Sequence, residues 1–234
     1  MVDPKALIFD VFGTVVDWRG SVIRDLEELG VDKDLDADWP AFADAWRDRY
    51  APSMDRVRRS ELPWTRLDDL HRASLEELLD EFSVEGFSQE EKDHLNKVWH
   101  RLDPWPDAVE GLKRLKERYI IAPLSNGNVS LLTNMAKRAH LPWDLILSAE
   151  LVRHYKPDPE TYLSAPDLLD LRPEEVMMVA AHVNDLRAAR ENGLRTAYVP
   201  RPLEFGPGAE ADPPDPSFDL VASDFIELDR KLAG

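Results

Sequence analysis

Six short apolar runs constrain this chain more than any other feature: Ala6–Phe12, Tyr119–Leu124, Leu145–Leu147, Val176–Ala181, Thr196–Val199 and Phe218–Val221. Each ends in small or polar residues, and together they lack the strict alternation of a half-exposed strand. Runs of this kind suit parallel strands covered on both faces. Helical patterns lie between most of them. Ala108, Val109, Leu112 and Leu115 fall on one face, and Leu131, Leu132, Met135 and Ala139 on another. Strand alternating with helix predicts an α/β fold with a doubly wound parallel sheet.

The stretch from Trp18 to Trp99 breaks that rhythm. It holds no convincing strand, but it shows helical spacing at Val22, Leu26 and Leu29, at Phe42, Ala45, Trp46 and Arg49, and at Leu75, Leu78, Leu79 and Phe82. The expected arrangement is a core of residues 1–17 and 100–234, with residues 18–99 inserted as a helical unit after the first strand. Asp103-Pro-Trp-Pro-Asp107 marks the return to the core, because proline is a frequent helix boundary. Pro200–Pro216, with six prolines, is expected to be an irregular loop.

Charge narrows the partners. With 29 Lys and Arg against 46 Asp and Glu, the net charge is −17. That balance argues against nucleic acid or an anionic membrane as a partner. Any anionic substrate needs a local positive pocket inside a repelling field. The chain has no cysteine, which excludes disulfides and thiolate metal sites and is compatible with a reducing compartment. MVDPKALIFD has neither a basic start nor a long apolar stretch, and no apolar run approaches the roughly 20 residues of a membrane helix. A cytoplasmic protein is expected.

In open α/β sheets the binding crevice lies at the carboxyl ends of the strands. Four runs here end close to reactive groups: Asp10 with Thr14, Ser125 with Asn126, Lys156 beyond the Leu145 run, and His182 with Asp185. If the sheet is parallel, these converge at one edge, bringing together a carboxylate, a cation and hydrogen-bonding groups.

The blocks FDVFGTV, PLSNGN, YKPDPETY and AAHVNDLRAARENGL, in that order, resemble the four motifs of the haloacid dehalogenase superfamily, and more narrowly those of the type II (L-)2-haloacid dehalogenases. The resemblance implies a Rossmann-like core with a helical cap at residues 18–99 and a homodimer. It also implies a metal-independent hydrolysis of small 2-haloacids, L-2-haloacids and haloacetates included, to 2-hydroxyacids, with no cofactor. Asp10 is then the nucleophile that forms an aspartyl ester, rather than an acidic turn residue. Phe12 stands where the superfamily's phosphatases carry a second Asp. A phenyl ring neither transfers a proton nor ligates a hard cation, so no metal site is expected.

By the same resemblance Thr14 holds the nucleophile, although a helix N-cap would use the same hydroxyl. Ser125 and Asn126 bind the substrate carboxylate, against the plain reading of a Ser-Asn-Gly turn. Lys156 neutralises Asp10, against a solvated surface charge. Tyr162 supports the lysine or the nucleophile, or is simply a core tyrosine. Arg47 points at the departing halide, although surface arginines are common on helices. The fourth block departs from the usual pattern, with Ala180, His182 and Asn184 where Ser, Asn and an aromatic are usual. Asn184 and Phe12 thereby shape the halogen pocket. His182 either activates water, with Asp185 beside it, or only hydrogen-bonds the substrate or Asp10. Two other functions stay open: a magnesium-dependent phosphatase of the same superfamily and a non-catalytic binding protein on this fold.

Overall fold

The computed structural model describes residues 3–234. Met1 and Val2, part of the expected core segment 1–17, lie outside it. The six apolar runs form one sheet. Its strands are β1 (Ala6–Phe9) and, past two two-residue strands named β2 (Val16–Asp17) and β3 (Asp103–Pro104), β4 (Ile120–Ser125), β5 (Leu147–Ser148), β6 (Val176–Ala180), β7 (Arg195–Tyr198) and β8 (Leu220–Val221). The order is β5-β4-β1-β6-β7-β8 and every pairing is parallel. Each strand is shorter than or shifted from its apolar run by a few residues. The chain leaves the ladder once it reaches Asp10, whose N–H still donates to Val179 O at 3.0 Å.

Alternation in β1 shows why such strands read as continuously apolar. Leu7 and Phe9 enter one buried cluster, Ala6 and Ile8 the other, and all four are 0% exposed. The first face is covered by α6 (Ala108–Lys116), α7 (Val129–Ala139) and α11 (Phe225–Ala233). The second is covered by α9 (Pro159–Leu168) and α10 (Val183–Glu191), with the short α8 (Ala149–Val152) following β5. Burying a leucine or phenylalanine this completely contributes about 1.5–3 kcal/mol. Both faces of every central strand therefore resist polar substitution.

Between β2 and β3 lie α1 (Trp18–Lys33), α2 (Trp39–Asp48), α3 (Tyr50–Arg58), α4 (Leu67–Glu81), α5 (Gln89–Asn96) and a 3₁₀ turn, Lys97–His100. A second such turn, Pro173–Glu175, precedes β6. The sequence pattern does not reveal β2 and β3, which pair antiparallel through Val16–Pro104 and Asp17–Asp103 and close the base of the insertion. Two residues are too few to carry a periodicity. The helix expected to run through Arg49 stops at Asp48, and α3 begins at Tyr50 with Arg49 between them. No helix among the described residues is long and apolar enough to cross a membrane.

The chain runs outward from β1 to β4 and β5, then crosses back to β6, β7 and β8. The switch in direction lies beside β1, so the crevice is flanked by the ends of β4 and β6.

Candidate active site

Parallel pairing puts Asp10, Asn126 and His182 at the same edge of the sheet, and a cavity of about 370 Å³ opens over them. It is lined by Asp10, Phe12, Asn126, Lys156, Pro157, Tyr162, His182, Asn184 and Asp185 from the core, and by Arg47, Tyr50, Ala51 and Met54 from the insertion. Two of the expected residues stand behind this lining. Thr14 is 0% exposed, donating to Asp10 Oδ2 at 2.7 Å and accepting from the Ala181 N–H at 2.9 Å. Ser125, also 0% exposed, accepts from the Gly127 N–H at 3.1 Å.

Ser125, expected to meet the substrate, lies outside the lining of this cavity. As the last residue of β4 its side chain points into the protein and closes the turn that follows. The N-terminus of α7 is also engaged, because Glu150 Oε2 accepts from the Val129 N–H at 2.8 Å. Asn126 is the group from this loop that faces the cavity. Its Oδ1 accepts from the Lys156 N–H at 2.8 Å, and the amide also meets the Tyr50 side chain, so its NH₂ is the half that faces the cavity.

Asp10 is 7% exposed and its two oxygens differ. Oδ1 lies 3.0 Å from Lys156 Nζ, whereas Oδ2 meets both Thr14 and His182 Nδ1, the latter at 2.9 Å. Burial alone would push this carboxyl up, but the Lys156 ammonium and the His182 contact hold it well below the usual carboxylate range. Magnitudes agree with that sign. Removing a carboxylate from water costs several kcal/mol, and a cation about 3 Å away returns roughly 5 kcal/mol at an effective dielectric near 20. Lys156 is held cationic in turn. Burial opposes the charge, but Asp10 and Asp185 outweigh it and raise the ammonium above its ordinary range. Its Nζ donates to Asp185 Oδ2 at 2.6 Å, and Tyr162 OH donates to Asp185 Oδ1 at 2.6 Å. Tyr162 thus supports Asp185, with its phenol pushed up by burial and by that carboxylate.

Both ring nitrogens of His182 face carboxylates. Burial lowers an imidazole's pKa, but here hydrogen bonds to Asp10 and Glu204, with their charges, raise it to about 10. That shift favours the imidazolium, which can donate from both nitrogens. Its Nε2 lies 3.0 Å from each oxygen of Glu204, which is 4% exposed. Of the two sequence readings of His182, the hydrogen bond to the Asp10 carboxylate is the one this geometry contains.

Arg47 reaches the cavity from α2 and sits over two aromatic rings, its guanidinium carbon 4.3 Å from the Tyr50 ring centre and 5.4 Å from that of Trp18. Its Nη1 is buried without a hydrogen-bond partner. Tyr50 in turn packs with Phe12 and His71, and both of these meet Trp99. Phe12 and Trp99 meet edge to face at 5.9 Å, and His71 stacks on Trp99 at 4.4 Å. Burial holds His71 neutral, near a pKa of about 3, so it adds no second charge beside Arg47.

Sequence reasoning missed Glu204 and Tyr50. Glu204 sits in the proline-rich stretch after β7, where no periodicity marks a side chain as inward. Tyr50 begins a helix that the pattern had merged with the preceding one.

A family model of haloacid dehalogenase-like hydrolases matches residues 4–193. The chain belongs to that family. Among curated haloacid dehalogenase relatives, the (S)-2-haloacid dehalogenase 4A of Burkholderia cepacia is 34% identical over 223 residues, covering 88% of this chain and 90% of that protein. A crystallised L-2-haloacid dehalogenase superimposes with a TM-score of 0.92 at 48% identity, covering 98% of this chain and 99% of the other. A defluorinating L-2-haloacid dehalogenase gives 0.96 at 45% identity, covering 99% and 96%. The likeness in fold to these dehalogenases thus covers nearly the whole chain.

Proposed function

We propose that this protein hydrolyses the carbon–halogen bond of small 2-haloacids through an ester on Asp10, and that the cation-flanked Asp10 carboxylate carries the reading. Three cations, Lys156, His182 and Arg47, face a cavity whose lining also holds the carboxylates of Asp10 and Asp185, two tyrosines, and apolar and amide groups. They supply the positive pocket that an anionic substrate needs inside a −17 chain. Oδ1 of Asp10, with a single partner, is the freer oxygen and attacks the α-carbon opposite the halogen. The carbon–halogen bond breaks, the halide departs with its electron pair towards the Arg47 guanidinium, and configuration inverts. The Asn126 amide anchors the substrate carboxylate, while Phe12 and Asn184 bound the space around the halogen.

In the second step water adds to Asp10 Cγ. Charge develops on Oδ2, which already faces the Thr14 hydroxyl and the His182 N–H, two donors set where the oxyanion forms. Asp185, oriented by Lys156 and Tyr162, takes the proton from water. Collapse breaks the Cγ–Oδ1 bond. One water proton ends on the product hydroxyl and the other leaves to solvent, restoring the Asp10 carboxylate.

Position 12 favours dehalogenation over a magnesium-dependent phosphatase. Phe12 is 2% exposed and packs on Trp99 and Tyr50, so it offers no oxygen to a metal beside Asp10. The test is halide release from each enantiomer of 2-chloropropionate, with and without a chelator. We expect stoichiometric chloride and lactate from the (S) enantiomer, unchanged by exhaustive chelation. Loss of activity restored by magnesium, or phosphate release without halide release, would overturn this function. A homodimer is the further expectation of the family resemblance, as a cytoplasmic location is of the composition, and sedimentation equilibrium measures the assembly directly.

A further inference from the structure

The loop after β7 carries a carboxylate that the mechanism above leaves without a task. Glu204 is 4% exposed, yet its oxygens face the active site from behind: both lie 3.0 Å from His182 Nε2, and Oε1 accepts from Trp18 Nε1 at 3.1 Å. The backbone makes room for it. Gly13 has a φ of +83°, and a Cβ there would lie 2.0 Å from Glu204 Oε1, so only glycine lets the carboxylate press this close to the segment that follows the nucleophile. A buried carboxylate against a backbone that only glycine permits costs desolvation unless its charge is used.

The groups facing His182 can be named in full. Asp10 meets Nδ1 from the end of β1, and Glu204 meets Nε2 from the loop. Asp185 follows on its own helix and is engaged by Lys156 and Tyr162. Behind the ring a small cavity of about 70 Å³ is bounded in part by Arg201, Glu210 and Asp212. Arg201 is committed to Asp107 at 2.6 and 2.9 Å.

This arrangement matters when the ester forms. The resting imidazolium has two carboxylate neighbours, and alkylation neutralises one of them. From then until water adds, Glu204 is the only carboxylate in contact with His182. We propose that Glu204 is a positioning residue for ester hydrolysis, holding His182 in place and protonated while Asp10 is esterified, so that its Nδ1–H faces the developing oxyanion. The inference rests on the dehalogenase reading for its reaction, but its physical content is a property of the resting protein. A group whose protonated form gains a buried anionic partner has its pKa raised. Without Glu204, the burial of the ring is opposed by Asp10 alone, and in the ester by nothing.

The test is the titration of His182 by NMR with isotopically labelled histidine, in the wild type, Glu204→Gln, Asp10→Asn and the double variant. Asp10→Asn imitates the neutral ester without turnover. We expect His182 in Asp10→Asn to titrate above 6.5, Glu204→Gln to lower its pKa by at least one unit, and the double variant to fall below 6.5. The alkaline limb of kcat in Glu204→Gln should move down by the same amount as His182 moves between Asp10→Asn and the double variant. An unchanged His182 titration in Glu204→Gln would overturn the proposal, since a carboxylate that merely ties Trp18 to the loop would leave the ring's pKa alone. So would an Asp10→Asn protein whose His182 already titrates at or below 6.5, a measurement that stands even if Glu204→Gln does not fold. Failure of the wild type to release halide would sink the dehalogenase reading and leave these titrations intact.

Discussion

Asp10→Asn should release no halide beyond background, a fall of roughly 10⁴-fold or more in kcat, comparable with removal of the nucleophile from other covalent hydrolases. The amide is nearly the same size, so the cavity keeps its shape. What is lost is the anionic oxygen that attacks, because an amide oxygen has no full charge to donate. Folding should survive. Lys156 keeps Asp185 at 2.6 Å, and Thr14 keeps an oxygen to donate to. Stability should respond to pH in a definite direction. The native Asp10 carboxyl is held below its ordinary value of 3.8, so its contribution is present above that value and disappears as pH falls. The variant should lack that acid-labile component in a melting-temperature series. Multiple turnover by a verified, non-deamidated Asp10→Asn protein would remove Asp10 from the chemistry. A second check uses single turnover in ¹⁸O-water. The label should enter Asp10 rather than the hydroxyacid, because water adds to Cγ and the oxygen leaving with product is Oδ1.

How much of this was legible in the sequence follows from how strongly each feature is repeated along the chain. The sheet was legible because both faces of its strands are buried, so Ala6–Phe9 and Val176–Ala180 read as unbroken apolar runs. Asp10, Asn126, Lys156, His182 and Asp185 were legible because parallel strands must bring their carboxyl ends together. The two-residue strands β2 and β3 had too little length to register. Motif position specifies the loop at Ser125 and Asn126, but which side chain lines the cavity depends on strand phase at the last residue, and here it is Asn126. Glu204 was invisible because no local pattern points it inward. It reaches His182 only through the path of a proline-rich loop, 22 residues along the chain from its partner. The protonation state of His182 was hidden with it, since residue type alone assigns a histidine its ordinary pKa, and the second carboxylate that raises it lies on that loop.

His182→Ala separates the two chemical steps. The first displacement needs an ionised Asp10, which Lys156 still supports through its 3.0 Å contact. Halide should therefore appear in a burst of about one equivalent per site, the mark of an accumulating covalent intermediate. Steady-state turnover should then fall by roughly 10²–10³-fold, the usual cost of one oxyanion donor, and mass spectrometry should find Asp10 carrying the acyl skeleton. Asp185→Asn should accumulate the same ester, because it removes the acceptor of water's proton while leaving the nucleophile in place. The pH profile decides between a donor and a base at position 182. A general base must be neutral to act, so kcat would climb as pH rises through the histidine pKa. A protonated donor gives the opposite sign, and kcat should fall with rising pH. The limb should lie below the resting value of about 10, because esterification removes one of the two carboxylates that raise it. Stability carries the same sign. The histidine's contribution is fully present below about pH 6.5 and is lost as pH rises through about 10, so the wild type should lose its advantage over His182→Ala across that window. A burst-free His182→Ala enzyme, or a kcat that rises through the histidine pKa, would remove the imidazolium from the second step.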